Sequence, residues 1–228
     1  MCAQNLRTYS KVQFHLLRKN LIMITVLDNH ALVQHFLSIL RNAETGAEPF
    51  RRASEAMTRI LILEASKSLE LKDIQIQTPL ENMTGKTVSE DVVIVPILRA
   101  GIGMLQTSLD VIPGASVGFI GLERDEATAI ASCYYAKMPE ITERSSVFVI
   151  DPMLATGGSA IQTVNELKAK GAKKLMMISV ICAPEGVEAF VTAHPDVPVI
   201  TGVIDRELNA SKYICPGLGD FGDRLFIT

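Results

Sequence analysis

Hydrophobic positions along this chain of 228 residues change their spacing about a third of the way through. Early on they recur at helical intervals, in Ala31 to Asn42 and Pro49 to Ser66, on either side of the turn-like Glu44-Thr45-Gly46. This spacing predicts an N-terminal helical pair. Gln75 to Pro79 reads as a short extended piece. Beyond it, unbroken apolar runs alternate with helical patterns. Strands are expected at Asp91 to Leu98 and Ser116 to Gly121, with a helix after Gly101, then at Val147 to Ile150, Leu175 to Ile181 and Val199 to Ile204, with helices from Gly158 and from Glu185. Runs such as Val147-Phe148-Val149-Ile150 show no polar alternation, which fits strands covered on both faces. The order therefore predicts an α/β fold: a mostly parallel sheet flanked by helices, with ligands bound beyond the carboxyl ends of the strands.

A hydrophobic content of 48% over this length suffices for one substantial core, so residues 1–228 are expected to form a single domain. The net charge of −3 argues against a nucleic-acid partner, which would call for a basic face. Cys2, Cys133, Cys182 and Cys215 are scattered, with neither a C-x-x-C pair nor zinc-like His spacing, and read as reduced cytosolic thiols. The longest apolar runs, Leu21 to Leu27 and Leu175 to Ala183, fall well short of the roughly 20 residues of a membrane span. No signal peptide opens the chain. Arg7, Lys11, Arg18 and Lys19, with no acidic residue before Asp28, give the first residues a faint likeness to a transit peptide, but they are read as a surface arm. The expectation is a soluble cytoplasmic protein with no membrane partner.

The richest stretch is Asp151-Pro152-Met153-Leu154-Ala155-Thr156-Gly157-Gly158-Ser159, where a buried strand empties into a turn at the start of a helix. Small side chains there let backbone N–H groups approach a phosphate, the hydroxyls of Thr156 and Ser159 can add bonds, and the positive end of the helix dipole favours an anion. Asp151 would repel phosphate, so its natural partners are sugar hydroxyls, and together these features point to a phosphorylated sugar. Gly157-Gly158 alone would serve as a tight turn in any α/β protein. The stretch has neither the Lys of a Walker loop nor a G-x-G-x-x-G fingerprint. Arg99 closes another buried strand, Val92 to Leu98, ahead of Ala100-Gly101, where its fork suits diphosphate. Gly121 to Thr128 reads as a charged hairpin carrying Arg124. The run Tyr213 to Phe226 is rich in Gly yet framed by apolar residues, so it can present main-chain groups to a planar ligand.

The loop Asp151 to Ser159 resembles the phosphoribosyl diphosphate loop of type I phosphoribosyltransferases, and with Pro152 in second place it is closest in spelling to the uracil phosphoribosyltransferases. Four motifs in the right order carry the resemblance from about Leu71 to Thr228. It implies a type I fold with an N-terminal arm and helices over 1–70, a core over 71–205 and a base-binding hood over 206–228. It also implies a donor, 5-phosphoribosyl 1-diphosphate, held by Arg99, Arg124, Asp220 and the whole loop Asp151, Pro152, Met153, Leu154, Ala155, Thr156, Gly157, Gly158 and Ser159. Asp151, Arg99, Arg124 and Asp220 become the catalytic set. Uracil is expected against Ile214, Gly219, Asp220 and Phe221, with Ile214, Gly219 and Phe221 acting through main chain. A fixed template of that kind rejects cytosine, whose donors and acceptors are reversed.

The implied products are UMP and diphosphate. Mg²⁺ comes with the donor's diphosphate, so no protein metal site is expected. Apolar residues in the N-terminal helices point to a homodimer or larger homo-oligomer, and the resemblance adds GTP as a candidate activator although no separate GTP motif is present. Phe221 stands where Ala is common and Ile227 where Gly is frequent, which leads one to expect a reshaped pocket wall at Phe221. A catalytically silent nucleotide-sensing regulator of the same fold is the competing reading; it should have lost Arg99, Arg124 or Asp151.

Overall fold

A computed structural model describes residues 23–124 and 131–228. The basic N-terminal residues, and Asp125 to Thr128 of the charged stretch expected to form a hairpin, lie outside them. Strand β1 (Ile24–Val26) precedes the helical pair α1 (Ala31–Arg41) and α2 (Ala47–Ser66). A hairpin of β2 (Leu71–Gln77) and β3 (Asn82–Val88) leads into β4 (Asp91–Leu98) and helix α3 (Ile102–Val111). Next come β5 (Ser116–Val117), β6 (Phe119–Arg124), β7 (Ala131–Lys137), β8 (Ser145–Ile150) and β9 (Met153–Leu154). Helix α4 (Gly158–Ala169), β10 (Lys174–Cys182), α5 (Pro184–Ala193) and β11 (Val199–Ile204) complete the core. The ribbon β12 (Glu207–Leu208) and β13 (Ile214–Cys215) and the short α6 (Phe221–Phe226) follow it.

The main sheet runs β1-β11-β10-β8-β4-β6-β7, with β5 beside β4 and β9 beside β10. Every pairing is parallel except the β6–β7 hairpin. Alternate side chains of each strand feed two cores. From β4, Val92 and Ile94 pack with helices α1, α2, α3 and α6, whereas Val93, Val95 and Ile97 pack with α4 and α5. The helical pair buries Val33, Leu37 and Leu40 from α1 and Phe50, Met57, Leu61 and Ile62 from α2, the stripe that its sequence spacing indicates. No helix among the described residues is long and apolar enough to cross a membrane.

Three elements differ from the sequence reading. The apolar run ending at Leu27 supplies the edge strand β1, paired in register with Val199 to Thr201. The extended piece at Gln75 is one arm of a fully paired hairpin, from Leu71 opposite Val88 to Gln77 opposite Asn82. It was missed because both its faces are largely exposed, so it lacks a clean alternation of apolar and polar residues. The hairpin's root is held by Lys174, which bonds Glu70 at 2.8 Å and Glu90 at 2.6 Å, and by Arg144 on the Ser89 carbonyl at 2.7 Å.

The third difference is α6, whose C-cap is Ile227 at φ 63° and ψ 49°. A β-branched residue pays about 1–2 kcal/mol for left-handed backbone, which is the physical reason glycine suits this position. Ile227 is exposed, so Ile227→Gly loses no packing. After subtracting the freedom glycine adds to the unfolded chain, the variant is expected to gain roughly 0.5–1 kcal/mol. A urea titration should show a higher midpoint at unchanged slope; a lower midpoint would contradict this.

Candidate active site

Arg99 and Asp151 follow neighbouring parallel strands, β4 and β8, whose last paired residues are Pro96 and Ile150. From β4 the chain crosses one way to β6 and β7, and from β8 the other way to β10 and β11, so the strand order reverses between them. Such a reversal opens a crevice at the strand ends. Arg99 is exposed after a cis Leu98–Arg99 peptide, and Gly101 N–H closes the turn on the Ile97 carbonyl at 2.9 Å. Arg124 is the last residue of β6, the next strand over, and its side chain lies outside the described residues.

The segment after Asp151 is more than a loop. Met153 and Leu154 form β9 against Ile181 and Cys182 of β10. The Pro152 carbonyl accepts from Val180 at 3.0 Å and Ile181 at 3.1 Å, and the Leu154 carbonyl from Ala183 at 2.9 Å. Pro152 and Leu154 are buried with those carbonyls committed, so they contribute the path of the turn rather than donor groups. The turn itself is Ala155 to Gly157. Gly157 sits at φ +82°, and a Cβ there would stand 2.9 Å from the Gly186 carbonyl oxygen. The first helical bond of α4 runs from Ile161 N–H to the Gly157 carbonyl at 2.9 Å, leaving the amides of Gly158, Ser159 and Ala160 without helical acceptors. Gly158 is exposed and the first turn carries no acidic residue, so these amides form an anion cradle.

Gly186, in the first turn of α5, escaped the sequence reading. A Cβ there would lie 2.3 Å from the Ala155 carbonyl oxygen and 2.8 Å from that of Leu154, so α5 packs directly under the phosphate turn. The available signal was a glycine just after Pro184-Glu185, where any good helix former would otherwise serve.

Asp151 is half-buried, and its surroundings desolvate the carboxyl, pushing its pKa up to about 7 although the Met153 amide favours the charged form. Nearby Cys182 is fully buried and free, and burial pushes its thiol up to about 12, so it is an inert packing residue. No cluster of three potential metal ligands exists among the described residues.

The hood reaches the same crevice. A Cβ on Gly222 would stand 4.0 Å from the Ala100 Cβ, which brings the start of α6 beside the Arg99 turn. Asp220 caps α6, its Oδ1 accepting from Asp223 N–H at 2.9 Å, and leaves its second oxygen uncommitted by the cap. Asn209 N–H bonds the Tyr213 carbonyl at 2.9 Å, and Ile214 lies opposite Leu208. Strand alternation then turns the backbone groups of Ile214 away from β12. Gly219 is exposed. The expectation for Phe221 needs correction: its side chain is 1% exposed and meets the Phe50 ring edge-on at 5.3 Å, so it belongs to the core and not to a pocket wall. Arg224 also stacks on Phe50, 4.4 Å from the ring centre, and bonds the carbonyls of Leu218 at 2.7 Å, Asn42 at 2.7 Å and Leu40. Arg51 holds the Leu225 carbonyl at 2.9 Å. The helical pair thus anchors the hood.

A mostly parallel sheet with a glycine turn opening a helix after its central strand, a carboxylate at that strand's end and a separate hood beside the Arg99 turn is the fold of a type I phosphoribosyltransferase. Adenine phosphoribosyltransferase from Trypanosoma brucei shares that fold at a TM-score of 0.54 and 15% identity, over 80% of this chain and 83% of that one. The family model for uracil phosphoribosyltransferase matches residues 26–228, and the chain belongs to that family. A curated uracil phosphoribosyltransferase of Fervidobacterium nodosum is 46% identical over 90% of this chain and 100% of its own length. Its counterpart from Thermosipho africanus is 48% identical, over 90% of this chain and 99% of its own. Among solved structures, the AQ2163 protein of Aquifex aeolicus superposes with a TM-score of 0.84 at 36% identity, covering 90% of this chain and 98% of that chain.

Proposed function

We propose that the chain joins N1 of uracil to the anomeric carbon of 5-phosphoribosyl 1-diphosphate, forming UMP and releasing diphosphate. The observation that carries this is the meeting of the Arg99 turn, the Asp151-to-Ser159 cradle and the hood at one set of strand ends. As the C1–O bond breaks, positive charge grows on the ribose and negative charge on the diphosphate. Arg99 and Arg124 meet the leaving diphosphate, while the amides of Gly158 and Ser159, with Thr156, hold the 5′-phosphate. Asp151 binds the ribose hydroxyls and, when ionised, favours the electron-poor ring. Asp220, half used as a helix cap, faces the ribose-phosphate side. The proton on uracil N1 leaves to solvent as the N1–C1 bond forms. Mg²⁺ carried on the diphosphate supplies charge neutralisation to the leaving group. Holding N1 in line with the C1–O bond provides the remaining acceleration.

The hood's main chain reads the base: Ile214, Gly219 and Phe221 offer backbone groups matched to O4, N3–H and O2. The division into helices (1–70), core (71–205) and hood (206–228), and a cytoplasmic setting, belong to the same reading. The test is diphosphate release and nucleotide formation with donor, Mg²⁺ and each of uracil, cytosine, hypoxanthine and orotate, with and without GTP. Turnover of uracil alone supports the reading; turnover of another base overturns it. A rate that depends on GTP adds GTP as an activator. Donor binding without turnover revives the silent regulator, a reading no observation now favours: Arg99 and Asp151 flank the crevice and Arg124 remains in the sequence.

A homodimer fits the β2–β3 hairpin. Ile74, Ile76 and Met83 share one face, with Leu80 exposed at the tip, and an isolated two-stranded hairpin is marginal in water. A second copy covering this face accounts for its stability. Sedimentation equilibrium should give twice the 24.8 kDa chain mass, falling to one chain in Ile76→Lys; a wild-type monomer would refute it.

A further inference from the structure

One buried ion pair grips both polar groups of a single glycine in the hood. Arg41, at the end of α1, meets Asp205, just after β11, through a two-pronged contact: Nη2 to Oδ1 at 2.5 Å and Nη1 to Oδ2 at 2.9 Å. The same Nη1 donates to the Gly217 carbonyl at 2.7 Å, and the Gly217 N–H donates to Asp205 Oδ2 at 2.9 Å. The Asp205 side chain is only 3% exposed, and its own N–H is fixed to the Cys182 carbonyl at 2.8 Å. Gly217 therefore has its N–H and C=O both turned inward. The next carbonyl, Leu218, is also drawn inward by Arg224 at 2.7 Å. Gly219 follows, and it is exposed.

Taking a carboxylate and a guanidinium out of water is costly, and a well-packed apolar pair would hold α1 to the sheet at least as well. What the ion pair adds is direction, since it fixes the two peptide planes on either side of the Gly217 Cα, in the middle of the segment from Ile214 to Phe221. We propose that Arg41 and Asp205 are positioning residues for the base: they set the backbone template without touching the substrate. This rests on the reading that residues 214–221 hold uracil. Loosening the clamp should weaken base binding far more than donor binding. Of the donor's proposed partners, Arg99, Arg124 and the 151–159 turn hang on β4, β6, β8 and α5 and make none of these contacts, and Asp220 alone shares the hood, where its own cap to Asp223 holds it.

The experiment compares wild type with Arg41→Gln, Arg41→Lys and Asp205→Asn by steady-state kinetics in both substrates and by amide exchange. In Arg41→Gln and Asp205→Asn the KM for uracil should rise about tenfold or more while the KM for the donor stays within about twofold. Exchange should quicken across 206–219 and stay unchanged across 147–164. Arg41→Lys keeps the charge but loses the fork, and should recover part of the uracil KM. Equal rises in both KM values, an unchanged uracil KM, or exchange raised throughout the chain would overturn the proposal and leave the pair a support for the fold alone. If Asp205→Asn does not fold, the two Arg41 variants carry the decision. Wild-type turnover of a different base would sink the uracil reading separately, and the clamp is then judged on that base; with no turnover at all, the local exchange pattern decides.

Discussion

Replacing Gly186 with alanine is expected to raise the KM for phosphoribosyl diphosphate by about a hundredfold and to lower stability by about 2–3 kcal/mol. Two effects oppose each other. Alanine favours a helix over glycine by about 1 kcal/mol, so in an open helix the change would stabilise. Here the new Cβ meets the Ala155 carbonyl oxygen at 2.3 Å and the Leu154 carbonyl oxygen at 2.8 Å, backbone atoms of the turn and of β9 that leads into it. Neither can yield without moving the turn, because Leu154 is bonded to Ala183 and paired with Cys182. The clash wins. Donor KM and uracil KM measured together with the thermal midpoint check this; a stabilised variant with an unchanged donor KM would show that the turn does not rest on α5 as described.

Asp151→Asn should lower kcat/KM by about 10²–10³ while leaving the fold intact, and should abolish a pH dependence that the wild type shows near neutrality. The carboxyl's pKa is raised by desolvation to about 7 from an ordinary value of 3.8. Because the folded chain keeps this proton where the unfolded chain has lost it, the group's contribution to stability is full below about pH 4 and is lost as pH rises through about 7. In the proposed mechanism the ionised carboxylate serves the ribose, so activity and stability should move in opposite directions. The kcat/KM for the donor should climb between about pH 6 and 8, over a range where the free protein becomes easier to unfold. Asparagine keeps the acceptor oxygen but not the charge, so its profile should be flat there. A wild-type profile with no inflection between 6 and 8 would remove Asp151 as the titrating group.

Much of this was legible because strands buried on both faces announce themselves. Val92 to Leu98, Val147 to Ile150 and Val199 to Ile204 could hardly be anything else, and a phosphate turn at the end of one of them needs small residues that stand out between a strand and a helix. The same reasoning failed where burial does not mark the sequence. The hairpin 71–88 is polar on one face and thinly apolar on the other, so period-two alternation never builds up. Asp205 and Arg41 looked like ordinary polar residues because their pairing spans 164 positions and leaves no local pattern. Gly186 was hidden for a similar reason, since its value lies in what packs against it. Phe221 misled through its neighbours: standing among backbone-reading positions, it was assigned to the ligand side, whereas the first turn of α6 points it at Phe50.

The stitching of the hood to the helical pair also orders events during synthesis. A ribosome adding about 5–20 residues per second reaches Gly217, 176 positions after Arg41, roughly 10–35 s later. Throughout that interval α1, its C-cap and α2 hold four hydrogen-bonding groups, on Arg41, Arg51, Leu40 and Asn42, whose partners in the hood have yet to be made. Strands β10 and β11 appear in time to cover most of the apolar stripes of the pair, so what waits is a set of polar ends and the face of Phe50 that Phe221 will cover. The hood, proposed to choose the base, is then the last part to dock, onto a platform already finished, and a nascent chain halted before residue 217 would carry the proposed phosphate cradle without the proposed means to select what it is joined to.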